Sequence, residues 1–266
     1  MIEVRNLTYA AGTKSLLRDI SFDVRSGEVL AVVGANGAGK STLLRLLSGE
    51  LKAAEGTVKL KDKPVSDYSI AGMARVRAVL SQQTSLTMSF RVEELVMMGR
   101  YPHFESRPTL ADKLIVEDVL HETGVSHLAR REYNALSGGE QQRVQLARVI
   151  AQIADVPGAV LLLDEPINGL DILYQQEILQ VVRRLADKGY CVVCILHDMN
   201  FAAQYADRVL MLKEGRVIAQ GRPLKVLNEE NMHEAFGVAV QVFEHPAFAF
   251  PLVLPLPRAY HQASIE

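Results

Sequence analysis

No stretch of this 266-residue sequence approaches the run of about 18 apolar residues that a membrane-spanning helix requires. Nothing in it therefore predicts that the chain crosses a bilayer itself. The opening Met1-Ile2-Glu3-Val4-Arg5 lacks the charged-then-apolar layout of an export signal, which points to a chain retained in the cytoplasm. Charge of one sign is missing too. A formal net charge of -2 leaves no basic footprint of the kind that nucleic-acid binding draws on, so DNA and RNA are disfavoured as partners. Internal repeats and low-complexity segments are absent, so the chain encodes one set of motifs. Cysteine is scarce. The two present, Cys191 and Cys194, are spaced C-x-x-C, but they lie in Tyr190-Cys191-Val192-Val193-Cys194-Ile195-Leu196, a β-branched apolar run that reads as a buried strand. Residues three apart on a strand face opposite ways, which favours two core thiols over a disulfide or a metal site.

What is present is ordinary for a globular protein, 48% hydrophobic and 23% charged. The length suits one domain over 1–266, built of subdomains. Ile2–Tyr9 and Ile20–Val24 read as strands of an antiparallel β layer. Glu28–Val33 is an apolar strand that runs into glycines and then into Leu43–Leu47 at helical spacing. Val92–Met98, Leu110–Thr123 and Gly138–Ile153 read as helices of an inserted subdomain spanning about 90–155, interrupted by a turn-rich stretch from Gly99 to Pro108. Ala159–Leu163 and Tyr190–Leu196 are continuous apolar runs, as parallel strands covered on both faces should be, with the helix Ile172–Lys188 between them. Arg208–Leu212 and Val217–Ala219 form a hairpin, and a proline-punctuated tail occupies about 222–266. The expected fold class is α/β.

Gly34-Ala35-Asn36-Gly37-Ala38-Gly39-Lys40-Ser41-Thr42 fits the phosphate-loop pattern G-x-x-x-x-G-K-[ST], and it stands between a strand and a helix, where that pattern has its mechanism. Glycines let backbone N–H groups turn in on phosphates, and the helix N-terminus favours negative charge. Lys40 is expected to contact the β- and γ-phosphates of a nucleotide, and Ser41 to ligate Mg²⁺. Asp164 and Glu165 end the apolar run Val160–Leu163 at the carboxyl edge of the sheet. Asp164 is expected to hold Mg²⁺, and Glu165 to orient or deprotonate the attacking water. His197 ends the next strand at the same edge, within reach of a γ-phosphate.

Ser137-Gly138-Gly139-Glu140 opens a helix with a capping box, yet two glycines fill its first turn, where each is a poor helix former by up to about 1 kcal/mol. A helix end stripped of side chains suits an anion. Since the chain already has its own phosphate loop, this second site is expected to serve another copy.

Through Leu136-Ser137-Gly138-Gly139-Glu140 and the motifs before and after it, the sequence resembles the nucleotide-binding subunits of ABC transporters over about residues 1–221. The resemblance implies a P-loop NTPase core with an N-terminal antiparallel β subdomain and an inserted helical subdomain. It implies a homodimer in which the signature segment of one copy closes over ATP held by the other. Partners would be an integral membrane permease dimer and, indirectly, a periplasmic binding protein, at the cytoplasmic face of the inner membrane. It assigns Tyr9 to adenine stacking, Gln82 (with Gln83 as the neighbour open to confusion) to the glutamine linking Mg²⁺ and water to the permease, and Asp171 to contact across the dimer. Ile167-Asn168-Gly169 departs from the usual Thr-Ser-Ala, which puts the fine coupling of that loop in doubt, and Glu140 replaces a frequent glutamine.

Gly99-Arg100-Tyr101-Pro102-His103 resembles importers of iron-siderophores, haem and cobalamin, and the tail from Glu244 to Leu256 is most similar to haem-import ATPases. By themselves, His103 and His245 read as a surface turn and part of a packed C-terminal strand. Two other classes compete. DNA-repair members of the family carry a long coiled coil, but only about 55 residues separate Gln82 from Ser137 here, without sustained heptads. A scaffold without turnover would have no use for both Glu165 and His197.

Overall fold

The computed structural model describes residues 1–81 and 88–257. β1 (Ile2–Ala11) and β2 (Lys14–Val24) form an antiparallel hairpin, and both are longer than the strands expected from alternation. The register slips at three points along the pair, and Asn6 and Asp19 adopt positive φ, so bulges break the period-two pattern that would have revealed the full strands. β3 (Val29–Gly34) leads through the glycine loop into α1 (Lys40–Leu47). β4 (Glu55–Leu60) pairs with the free side of β1 and with β5 (Lys63–Pro64), giving a four-stranded antiparallel sheet in the order β2-β1-β4-β5.

The second sheet is built from strands separated by helices. In chain order these are α2 (Ile70–Val76), β6 (Arg77–Leu80), α3 (Val92–Met97), α4 (Leu110–Glu122), α5 (Gly138–Ile153), β7 (Val160–Asp164), α6 (Ile172–Asp187), β8 (Cys191–Ile195), α7 (Met199–Tyr205), β9 (Arg208–Lys213) and β10 (Arg216–Gly221). Its order is β10-β9-β3-β8-β7-β6, parallel throughout except for the β9–β10 hairpin. Both faces are covered. Leu30, Val32, Leu162 and Val193 pack toward α1 and the four-stranded sheet, while Ala31, Val33, Leu161 and Val192 pack toward α5 and α6. Cys191 lies in the first of these cores and Cys194 in the second, both as buried free thiols pushed up in pKa by burial. The two-sided burial is why these strands read as unbroken apolar runs.

α3, α4 and α5 form the inserted helical layer, pinned by a buried ion cluster. Arg100, only 2% exposed, donates from Nε to Asp112 Oδ1 at 3.0 Å and in bidentate fashion to Asp155 at 2.8 and 3.0 Å, and it also reaches the Ala151 carbonyl. Asp112 additionally closes the capping box of α4 with Thr109. Burial alone would raise the Asp112 carboxyl, but the hydrogen bonds from Thr109 and Arg100 outweigh it and hold the pKa below the usual aspartate range. Asp155 is lowered chiefly by its bonds to Arg100. Replacing Arg100 by methionine leaves Asp112 charged and buried, and should cost about 3–5 kcal/mol of stability, read in a denaturant melt. Because the folded pKa values are depressed, this stabilisation is complete above the unfolded aspartate range and lost as pH falls through the folded values. The variant's deficit should therefore shrink in acid.

The tail is more ordered than its prolines suggest. α8 (Pro223–Val226) and α9 (Glu229–Phe236) precede a hairpin of β11 (Val240–Glu244) and β12 (Pro251–Pro255). Pro251 and Pro255 stand at the ends of β12, where a missing N–H is tolerated. Asn200 of α7 fastens the hairpin by exchanging two hydrogen bonds with the backbone of Val253. His245 sits in the hairpin connection against the rings of Phe248 and Phe250, while His103 bonds the Gln152 carbonyl at the end of α5.

Candidate nucleotide site

The loop after β3 takes its shape from glycines that nothing else could replace. Gly34 has φ of 149°, and a Cβ there would lie 2.3 Å from the Leu212 carbonyl oxygen. Gly39, the residue before α1, has φ of 104° and would meet Leu17 at 2.7 Å. Lys40 folds back over this loop, its Nζ donating to the carbonyls of Gly34 at 2.8 Å and Ala35 at 3.1 Å. Burial lowers its pKa, against the opposing pull of Glu165 and Asp164. The loop walls a cavity of about 240 Å³, to which Asn36, Gly37, Gly39, Lys40, Ser41, Thr42 and Glu165 contribute. Lys14 and Leu16 line it too. Neither belongs to a sequence motif, because only the β1–β2 hairpin carries the start of β2 to the loop. Tyr9 pairs with Leu17 on that hairpin and packs against the core, without lining the cavity.

The carboxyl ends of β7 and β8 bring the acidic groups to the same place. Leu163 pairs with Cys194 and Asp164 with Ile195, so Glu165 and His197 leave adjacent strands side by side. Ser41 Oγ donates to Asp164 Oδ1 at 3.4 Å, and burial is the main reason that the Asp164 carboxyl is raised. His197 Nε2 lies 2.5 Å from Glu165 Oε1, and Asn168 Nδ2 donates to Glu165 Oε2 at 3.0 Å. Glu165 itself has φ of 52°, a left-handed conformation that costs a non-glycine residue on the order of 1–3 kcal/mol.

The remaining sequence-derived residues lie apart from this cavity. Ser137 caps α5, accepting from the Glu140 N–H, while Glu140 Oε2 accepts from the Ser137 N–H and hydroxyl at 2.8 Å each. Those bonds lower the Glu140 pKa. A Cβ on Gly138 would meet nothing within 4 Å, so the first turn of α5 is open on that side, whereas one on Gly139 would approach Tyr174 at 3.4 Å. Asp171 caps α6 by accepting from the Tyr174 N–H. Gln82 and Gln83 lie outside the described residues.

Residues 17–168, more than half of the chain, match the family described as ABC transporter. The chain belongs to the ABC transporter family. Among its relatives, the hemin import ATP-binding protein HmuV of Pseudomonas fluorescens is 49% identical over 96% of this chain and 99% of its own length. HmuV of Gloeobacter violaceus is 45% identical over 96% of this chain and 94% of its own. An inward-facing ABC transporter assigned to the metal-chelate type superposes with a TM-score of 0.83 at 28% identity, covering 97% of this chain and 98% of the other. A bacterial ABC transporter cassette solved as a dimer gives 0.73 at 26% identity, covering 84% of this chain and 98% of the cassette. As a member of this family the chain is an ATP-hydrolysing transporter subunit. Among the described residues, no helix is long and apolar enough to cross a membrane.

Proposed function

We propose that this chain powers haem import across the inner membrane, acting at its cytoplasmic face beneath a permease dimer, with a periplasmic binding protein delivering the cargo. The observation that carries the cargo is identity of 45–49% over nearly the whole chain to hemin import ATP-binding proteins. The metal-chelate type of the structural relative agrees with a cargo in which an organic ring wraps a metal ion.

Lys40 attracts the β- and γ-phosphates of ATP laid along the loop from Gly34 to Thr42, and Tyr9 stacks on the adenine. Ser41 and Asp164 offer oxygen donors within hydrogen-bond reach of each other, and a carboxylate raised by burial suits a hard cation. Bound there, Mg²⁺ would neutralise phosphate charge. Glu165 takes a proton from water as the water oxygen bonds to the γ-phosphorus. The bond from that phosphorus to the bridging oxygen breaks, and ADP departs with its electron pair. His197 holds the Glu165 carboxylate and reaches the γ-phosphate. Gln82 relays the state of the site to the permease. Ser137, Gly138, Gly139, Glu140 and Asp171 complete the site of the second copy, an arrangement supported by the open side of Gly138.

Reconstitution of the chain with its permease and binding protein in liposomes tests this reading. ATP-driven accumulation of haem, and not of ferric siderophore or cobalamin, is the expected result. Accumulation of either alternative would replace the cargo, and ATP hydrolysis indifferent to every permease offered would sink the transport role.

A further inference from the structure

The loop Ile167-Asn168-Gly169, where the resemblance leads one to expect Thr-Ser-Ala, folds back onto Glu165. Glu165 and Asn168 close a tight turn in which the Asn168 N–H bonds the Glu165 carbonyl at 3.2 Å. Pro166 occupies the second position of that turn, where its fixed φ fits. The same turn folds the Asn168 side chain onto the Glu165 side chain, Nδ2 to Oε2 at 3.0 Å. An ionised carboxylate only accepts, so the amide must present its NH₂ group, and the direction of this bond is fixed by chemistry. His197 engages the other carboxylate oxygen. The two oxygens are thus gripped from opposite sides, one from the end of β8 and one from the residue three positions on.

Two further amides hold the backbone of this turn. Gln142, on the second turn of α5, donates to the Pro166 carbonyl at 3.0 Å, and Gln175 of α6 donates to the Ile167 carbonyl at 3.4 Å. With the turn fixed, the rotation of the Glu165 carboxylate about its last bond is set by Asn168 together with His197. A shallow twofold torsion of that kind has no strong preference of its own. We infer that Asn168 is a positioning residue for hydrolysis, orienting the Glu165 carboxylate toward the attacking water while taking no part in ATP binding. The inference rests on the assignment of Glu165 as the base.

Two substitutions with opposite turn propensities test it in the full-length chain. Asn168→Asp keeps the volume and the turn-forming habit but removes the donor and sets a like charge beside Glu165. Asn168→Ala removes the donor without adding charge, and is the poorer turn former. Orientation by hydrogen bonding predicts a fall in kcat of roughly 10- to 100-fold, larger for Asp than for Ala, with the KM for ATP and the ATP-induced dimer unchanged in the uncharged Ala variant. A role confined to shaping the turn predicts the reverse order, Ala below Asp, with KM and dimerisation impaired. That order, or wild-type kcat in both variants, would overturn the inference. Glu165→Gln run in parallel keeps the two claims apart. If it retains turnover, the assignment of the base fails; if it is inactive while both Asn168 variants turn over normally, the role of Asn168 alone fails.

Discussion

Glu165→Gln should bind ATP as well as the unaltered chain, turn it over at least 10²-fold and up to about 10⁴-fold more slowly, and accumulate as an ATP-bound dimer. The amide is nearly isosteric with the carboxylate: its single oxygen can still accept from Asn168, while its NH₂ faces His197, whose ring nitrogen can accept in one tautomer; the native bonds to Glu165 are 3.0 and 2.5 Å. It cannot take a proton from water. Lys40, Ser41 and the loop glycines are untouched, so the energy of binding the phosphates remains available while the chemical step is lost. If hydrolysis is what separates two cassettes closed over two nucleotides, the dimer should persist. Phosphate release in the steady state, ATP affinity at equilibrium and size-exclusion chromatography with ATP together check the claim. Near-native turnover would remove Glu165 from its role, and a monomeric elution profile with ATP would count against the head-to-tail arrangement.

Lys40→Ala should fail one step earlier. The Lys40 ammonium is the cation that the loop itself presents to the cavity, and it is held there by the carbonyls of Gly34 and Ala35. Loss of a close, partly desolvated charge partner costs about 2–5 kcal/mol, which is about 30- to several-thousand-fold in affinity. No dimer should form with ATP, because the nucleotide that would bridge the copies is not retained. Arginine should not restore function, since its planar fork cannot replace a compact ammonium in a loop this tight. Titration with a fluorescent ATP analogue separates this variant from Glu165→Gln: one loses binding, the other only chemistry. A thermal melt close to native would show that the loss is local, and unchanged ATP affinity would contradict the assignment of Lys40.

The order of the fold was legible to different depths along the chain. α5 runs from Gly138 to Ile153 as its capping box and periodicity predict, because both its start signal and its apolar stripe are local. β7 and β8 were visible because burial on both faces demands an unbroken apolar run. The first half of β2 was not, since bulges and positive φ erase alternation there. The hairpin of β11 and β12 was only partly foreshadowed. Its prolines read as interruptions, and the contact that fastens it, between Asn200 and Val253, joins positions too distant for any local pattern to record.

The same division runs through the site. The glycine loop after β3, the acidic pair at the end of β7 and the glycine-led start of α5 are local features, legible from the residues within a few positions and from the strand or helix that they terminate. No local pattern records that Lys14 borders the loop, that His197 meets Glu165, that Gly138 is open while Gly139 faces Tyr174, or that Asn168 turns back onto the carboxylate. Those relations follow from strand register, from a left-handed residue at position 165 and from the seating of α5 against α6. Each is set by packing over the whole core, to which any one stretch of sequence contributes only a part.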